Sequence, residues 1–244
     1  VGTVVPVIWH PPGYPGRTGT SYLPTVLADP PAFFAFVSFL VGLATMIEVK
    51  SELRSALIAA RAKAQIDEPD AGEALVHSAA QILSRAVTAI VAGYIPFKTE
   101  IDPRPLMRAL AAQGASLCLP RTPPKGQSSD GLTFHLCDPD NLDHLEKSEW
   151  GVMEPKTHLP EVRPNVVLVP LLGFDHFGNR LGQGQGHYDR TLEALRVTGT
   201  VLAVGVAFAA QEVTRIPIEP HDQRLDWIIT PTKAYPIPTL GGIE

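Results

Sequence analysis

Residues 173–190 concentrate side chains and backbone groups of the types that could bind a phosphorylated ligand. Glycines at 182, 184 and 186 let backbone N–H groups approach a ligand without a Cβ in the way. Such a loop ahead of a helix is an anion site, because the first amides of a helix lack partners and its dipole favours negative charge. The pattern is neither a Walker A loop nor a GxGxxG fingerprint, and GxGxG alone fits a flexible turn equally well. Arg180 adds a planar cationic fork for phosphate. Asp189 offers a hard oxygen of the kind magnesium takes beside nucleotide phosphates, or simply a carboxylate favoured by a helix start. Asp226 stands directly before an apolar strand pattern. It reads as a second magnesium carboxylate, as a partner for Arg224 or as the cap of a turn.

A second chemical signal lies on the first helical segment. At about 100° per residue, Lys50, Arg54 and Arg61 fall within roughly 40° of one another. They share an arc with Leu53, Leu57 and Ile58, while Ser51, Glu52, Ser55 and Lys63 point away. Basic groups on an apolar face need partners, since an unpaired buried charge costs several kcal/mol. The partner is either a carboxylate of the fold or a polyanion such as a nucleotide triphosphate; long stems can also reach past a core edge.

The elements that must position these residues follow from periodicity and punctuation. Helices are expected over 47–65 and over 70–85, the latter with Asp70 as N-cap. A third runs from Asp102-Pro103 to Gly114, with proline at its first position, and a fourth spans 188–197. Strands are expected over 86–95, 115–119, 132–136, 166–170, 201–208 and 227–230, with a loop over 121–131. Strands alternating with helices imply an α/β fold with a mainly parallel sheet covered on both faces.

The whole chain is 244 residues, 45% hydrophobic and 18% charged, ample for a core without staples. A net charge of −5 excludes a generally basic nucleic-acid binder. Cys118 and Cys137 form no metal pattern and read as thiols of a reducing compartment, with one disulfide as the alternative. Residues 1–47 carry only Arg17 and Asp29 as charges, and seven of the first 31 residues are proline. Extended or irregular chain is expected there. The uncharged run 32–47 is short for a membrane span, which needs about 20 apolar residues. Three readings remain for the extension 1–45: a membrane or interfacial anchor, an element docked on the domain, or sequence upstream of a natural start near Met46. The domain proper is expected over 46–244.

At this point a family is legible. Residues 166–175 and 178–190 closely resemble the 5-formyltetrahydrofolate cyclo-ligases, also called methenyltetrahydrofolate synthetases. Further blocks agree in order: Lys50-Ser-Glu-Leu-Arg54, residues 94–102, Glu154-Pro155, residues 217–222 and Leu225-Asp226. The resemblance covers about residues 46–235. It implies a three-layer α/β/α sandwich and a cytoplasmic enzyme. The implied reaction is the ATP- and Mg²⁺-dependent conversion of 5-formyltetrahydrofolate to 5,10-methenyltetrahydrofolate through a phosphorylated formyl group. It further implies that Lys50, Arg54 and the loop Arg180, Leu181, Gly182, Gln183, Gly184, Gln185, Gly186, His187 and Tyr188 hold ATP. Ile95, Glu100 and Tyr188 would line the folate pocket, Asp189 and Asp226 would hold magnesium, and Arg180 and Tyr188 would act in catalysis. The family often has two tyrosines where this chain has His187-Tyr188. Other readings are a non-catalytic folate- or nucleotide-binding relative, a sugar-phosphate isomerase or CoA-transferase relative, and a membrane-attached protein.

Overall fold

The computed structural model describes residues 30–79, 88–127 and 131–238. The chain divides into two units, 1–45 and 46–244. Helix α1 (Pro30–Asp67) begins well before the expected residue 47. Prolines are tolerated in a first helical turn, because the amide they lack has no partner there. The expectation of irregular chain over 1–29, like the end of the helix expected to reach residue 85, lies outside the described residues. So do the side chains of 32–45 on which a membrane anchor would depend. No helix among the described residues is long and apolar enough to cross a membrane. Helix α2 (Ala71–Ser78) follows. Asp70 occupies its N-cap position, but the side chain makes no capping hydrogen bond.

Strand β1 (Ile90–Ala92) leads through a loop to α3 (Arg104–Ala112), where Pro103 caps rather than opens the helix. β2 (Ser116–Arg121), β3 (Thr133–Leu136), β4 (Leu145–Lys147), β5 (Met153–Pro155) and β6 (Val166–Pro170) come next. Then β7 (Gly173–Phe174), β8 (Arg180–Leu181) and α4 (His187–Thr198) precede β9 (Leu202–Val206), β10 (Trp227–Ile229) and β11 (Ala234–Pro236). The main sheet runs β11-β10-β9-β6-β1-β2-β3. Its five inner strands are parallel and its two edge strands antiparallel.

The three-layer α/β/α architecture follows from the alternation of side chains along buried strands. Val166 and Leu168 face one core with Leu75 of α2 and Leu106, Met107 and Leu110 of α3. Val167 and Val169 face the other with Leu192 and Leu195 of α4. Both cysteines are buried and free, and burial pushes the Cys118 thiol up to about 12 and Cys137 to about 11. Both are therefore neutral thiols.

Strand order reverses between β1 and β6: the chain leaves β1 toward β2, and leaves β6 toward β9. Loops diverging there open a crevice at the carboxyl ends of the strands. The hairpins β4–β5 and β7–β8 have no counterpart in the sequence reading, because strands of two or three residues carry no measurable period. The β7–β8 turn is organised instead by the fully buried Asp175. Its carboxylate accepts from the amides of Phe177, Asn179 and Ile216 and from Asn179 Nδ2, each at 3.0 Å. Asp175→Ala strands those donors, so we expect a loss of about 2–4 kcal/mol of folding stability in urea unfolding.

Candidate active site

A cleft of about 630 Å³ lies at the strand-order reversal, bordered by Tyr94 and Ile95 after β1 and by Leu171 and Leu172 after β6. Part of its lining is charged. α1 delivers Lys50, which is only 7% exposed, with Nζ 2.6 Å from Glu219 Oε2 and 3.0 Å from Asp222 Oδ2. Asp222 Oδ2 also accepts from the Glu219 amide at 2.8 Å, closing a tight turn. Glu219, His221 and Asp222 each offer a ligand atom within 4.8 Å of the others. One helical turn on, Arg54 Nε donates to the Gly182 carbonyl at 3.1 Å. The basic stripe is thus satisfied by carboxylates and by the glycine loop, while Ile58 on the same arc is exposed.

The loop itself is pinned from both ends. Arg180 donates to the Gln223 carbonyl, and its Nη2 lies 2.8 Å from Asp189 Oδ1, which also accepts from the Gln223 amide at 2.9 Å. Arg180 is therefore committed to the fold rather than a free fork for phosphate, although it borders the cleft. Leu181 is buried with Leu57, Leu172 and Ile216. Gly186 has φ +66 and precedes α4, whose first turn receives no side-chain cap. The first amides of α4 and the flanking loop thus border the cleft without a side-chain acceptor from the capping position.

The lining also includes aromatic and apolar side chains, among them Trp150, Val152 and Leu132. Trp150, in the turn between β4 and β5, donates Nε1–H to the Pro123 carbonyl at 3.0 Å and stands edge-on to the His187 ring at 5.3 Å. Buried Glu154 ties this hairpin to β2, accepting from the Thr122 amide at 3.0 Å and hydroxyl at 2.8 Å beside Arg121. His187 Nδ1 lies 3.2 Å from Arg190 Nη2, which can only donate, so its proton belongs on Nε2. Burial, with Arg190 nearby, holds its pKa below the usual range, and the ring is neutral at pH 7. Glu100, Arg61, Tyr94 and Tyr188 also border the cleft. Burial pushes the Glu100 carboxyl up, opposed by the Phe97 amide and the Arg61 charge. Burial and the charge of Glu100 push the Tyr188 phenol up, leaving it a neutral donor.

Lys50, Arg54, Ile95, Glu100 and all residues from Arg180 to Asp189 border this one cleft. Asp226 does not. It precedes β10, at the amino end of the parallel strands, where Oδ2 accepts from the Ala203 amide at 2.7 Å and pairs with Arg196 at 3.1 Å. The expected pairing of Asp189 with Asp226 is corrected accordingly: the carboxylates on the cleft are Asp189, Glu219 and Asp222. Glu219 and Asp222 lie within residues 217–222, a block singled out in the sequence; spacing alone does not say which of three nearby acids turns inward. Trp150 carries no local signal, because its hairpin is too short to read.

Sheet order and cleft together define an α/β protein with a ligand crevice at a topological switch point. The family model for 5-formyltetrahydrofolate cyclo-ligases matches residues 46–231. The 5-formyltetrahydrofolate cyclo-ligase of Mycolicibacterium smegmatis is 34% identical over 193 residues, covering 75% of this chain and 94% of the relative. That of Escherichia coli K12 is 34% identical over 149 residues, 59% and 79% of the two chains. The NMR structure of Aquifex aeolicus 5,10-methenyltetrahydrofolate synthetase matches with a TM-score of 0.64 at 26% identity, covering 80% of this chain and 96% of that one. The chain belongs to the 5-formyltetrahydrofolate cyclo-ligase family.

Two glycine substitutions separate backbone strain from ligand approach. Gly184 has φ +93, with Arg54 Nη2 3.4 Å from where a Cβ would sit. Gly184→Val should therefore cost about 1–3 kcal/mol in the ligand-free protein. Gly182 has no such φ and nothing within 4 Å of an added Cβ. Gly182→Ala should leave the melting temperature of the free protein unchanged or slightly raised.

Proposed function

We propose that this protein converts 5-formyltetrahydrofolate to 5,10-methenyltetrahydrofolate at the expense of ATP, with Mg²⁺. The observation that carries the reading is that one cleft brings together a charged cluster, aromatic and apolar side chains, and the glycine loop. The triphosphate belongs against Lys50, Arg54 and the amides of 182–186. The folate belongs against Trp150, Ile95 and Tyr188, with Glu100 as acceptor for ring N–H groups. That arrangement suits two ligands reacting with each other more than one ligand held alone.

The chemistry asks the chain for alignment and charge neutralisation. The formamide oxygen attacks the γ-phosphorus and ADP leaves. The second folate nitrogen then attacks the activated formyl carbon, loses its proton, and inorganic phosphate departs with the former formyl oxygen. No side-chain nucleophile is required. Lys50 and the loop amides meet the negative charge that spreads over the γ-phosphoryl oxygens. Walls of Trp150, Val152 and Leu132 exclude water that would otherwise intercept the activated formyl group. Glu219 and Asp222 turn their carboxylates to the same ammonium, and Asp189 borders the same cleft from the first turn of α4, an oxygen-rich donor set that fits magnesium. When bound, magnesium supplies further neutralisation of the phosphates.

Purified protein mixed with 5-formyltetrahydrofolate, ATP and Mg²⁺ should form the methenyl product and ADP only when all three are present. Binding of both ligands without product would instead identify a non-catalytic relative. Lys50→Ala should weaken ATP by roughly 10–150-fold, the loss of a charged contact of about 1.5–3 kcal/mol, and folate much less. Gly182→Ala should abolish the thermal stabilisation that ATP confers on the parent. Asp222→Asn should cut turnover strongly. Asp226→Asn should lower stability and leave turnover within a few-fold, and equal losses from both would return the metal to Asp226.

A further inference from the structure

Arg61 is the one basic residue of the α1 stripe that matches no block of the family resemblance, and it is the most deeply buried, at 2% exposure. Its guanidinium reaches three groups around the cleft. Nε donates to Thr99 Oγ1 at 3.0 Å, and Nη1 donates to the Leu171 carbonyl at 3.3 Å and lies 3.6 Å from Glu100 Oε1. The Leu171 carbonyl also accepts from Gln211 Nε2 at 2.8 Å, so this point of the chain leaving β6 is held from two sides. Glu100 Oε2 accepts from the Phe97 amide at 3.0 Å. A carboxylate offers about four acceptor sites. With one oxygen on Phe97 and the other beside Arg61, acceptor capacity is left on a carboxylate that borders the cleft.

We infer that Arg61 is a positioning residue for substrate recognition: its buried guanidinium orients the Glu100 carboxylate and keeps it anionic, to receive the adjacent N–H donors of an aminopyrimidinone ring. This rests on the folate reading of the cleft. The need for Arg61 is physical. A desolvated carboxyl drifts toward its neutral form, which would present a hydroxyl to ring donors and lose a charge-assisted contact. The other ionisable groups near Glu100 do not replace the cation. Tyr94 donates its hydroxyl to the Ile101 carbonyl at 3.0 Å, and it and Tyr188 stay neutral because burial and Glu100 push both phenols up. Asp102 is turned to Arg104, at 2.7 Å, and Lys98 lies over the Phe97 ring at 5.1 Å. Arg61 is thus the cation in contact with Glu100.

The test uses full-length protein and two readouts. Carbon NMR of the Glu100 carboxyl in the ligand-free protein gives its titration midpoint, and calorimetry gives 5-formyltetrahydrofolate affinity from pH 5 to 8.5. In the parent, affinity should fall toward low pH as Glu100 protonates, and Glu100→Gln should remove that limb. Arg61→Met should raise both the carboxyl midpoint and the acid limb by about one unit or more, the usual effect of a lost charge at this separation. Affinity between the two midpoints should then drop about tenfold and recover at high pH, and Arg61→Lys should restore the parental midpoint. An unmoved midpoint, or an affinity loss equal at every pH, overturns the inference and leaves Arg61 a packing residue. If Arg61→Met does not fold, Arg61→Gln, which removes the charge but keeps an amide able to donate to the Leu171 carbonyl, should raise the midpoint in the same direction, and no rise overturns it. Absence of folate binding by the parent defeats the folate reading itself, which the ligand-free NMR titration distinguishes from failure of the Arg61–Glu100 coupling.

Discussion

Charge buried beside the cleft must be paired, and much of the molecule is arranged by that constraint. Lys50, Arg61, Arg180 and Glu154 would each be a liability alone in a low-dielectric setting. Each instead joins two separate elements: α1 to the turn at 219–222, α1 to the loop after β1, β8 to α4, and β2 to the β4–β5 hairpin. Removing one partner of such a pair typically costs about 3–5 kcal/mol, because the other is left uncompensated. The same links fix the walls of the cleft. Stability and ligand geometry therefore depend on the same few contacts.

The sheet provides the frame on which those contacts act. Five parallel strands buried on both faces leave their carboxyl ends as the place where loops diverge, at β1 and β6. The Leu171 carbonyl, just past β6, accepts from Arg61 and Gln211, and Asp175 closes the next turn with four hydrogen bonds. The glycine loop is thereby a rigid-based feature: its ends are fixed by Arg180, Asp189 and the start of α4, while Gln183, Gly184 and Gln185 are exposed. Exposed amides on a fixed base suit a ligand that brings its own negative charge.

Much of this was legible in one dimension. β6 is a run of Val and Leu bounded by proline, and the hydrophobic period over 47–65 names the face of α1 that packs inward. Lys50, Arg54 and Arg61 could be read as needing partners from their angular positions alone. Other features carry no such local signature. Pro30 and Pro31 read as irregular chain, yet a proline pair is compatible with a helix start. The strands of two hairpins were too short to show alternation. Asp226 reads as a metal ligand from its place before a strand, but in a parallel sheet that place is the amino end, away from the cleft.

The alternation of helices and strands, the stripe of bases and the glycine loop are written locally in the chain, because period, backbone freedom and residue chemistry act over a few positions. Only the tertiary structure decided which carboxylates meet those bases. Glu219 and Asp222 stand 169 and 172 residues from Lys50, and Glu100 stands 39 from Arg61. No periodicity spans such distances. The order of strands does, by setting which loop ends at which edge of the sheet.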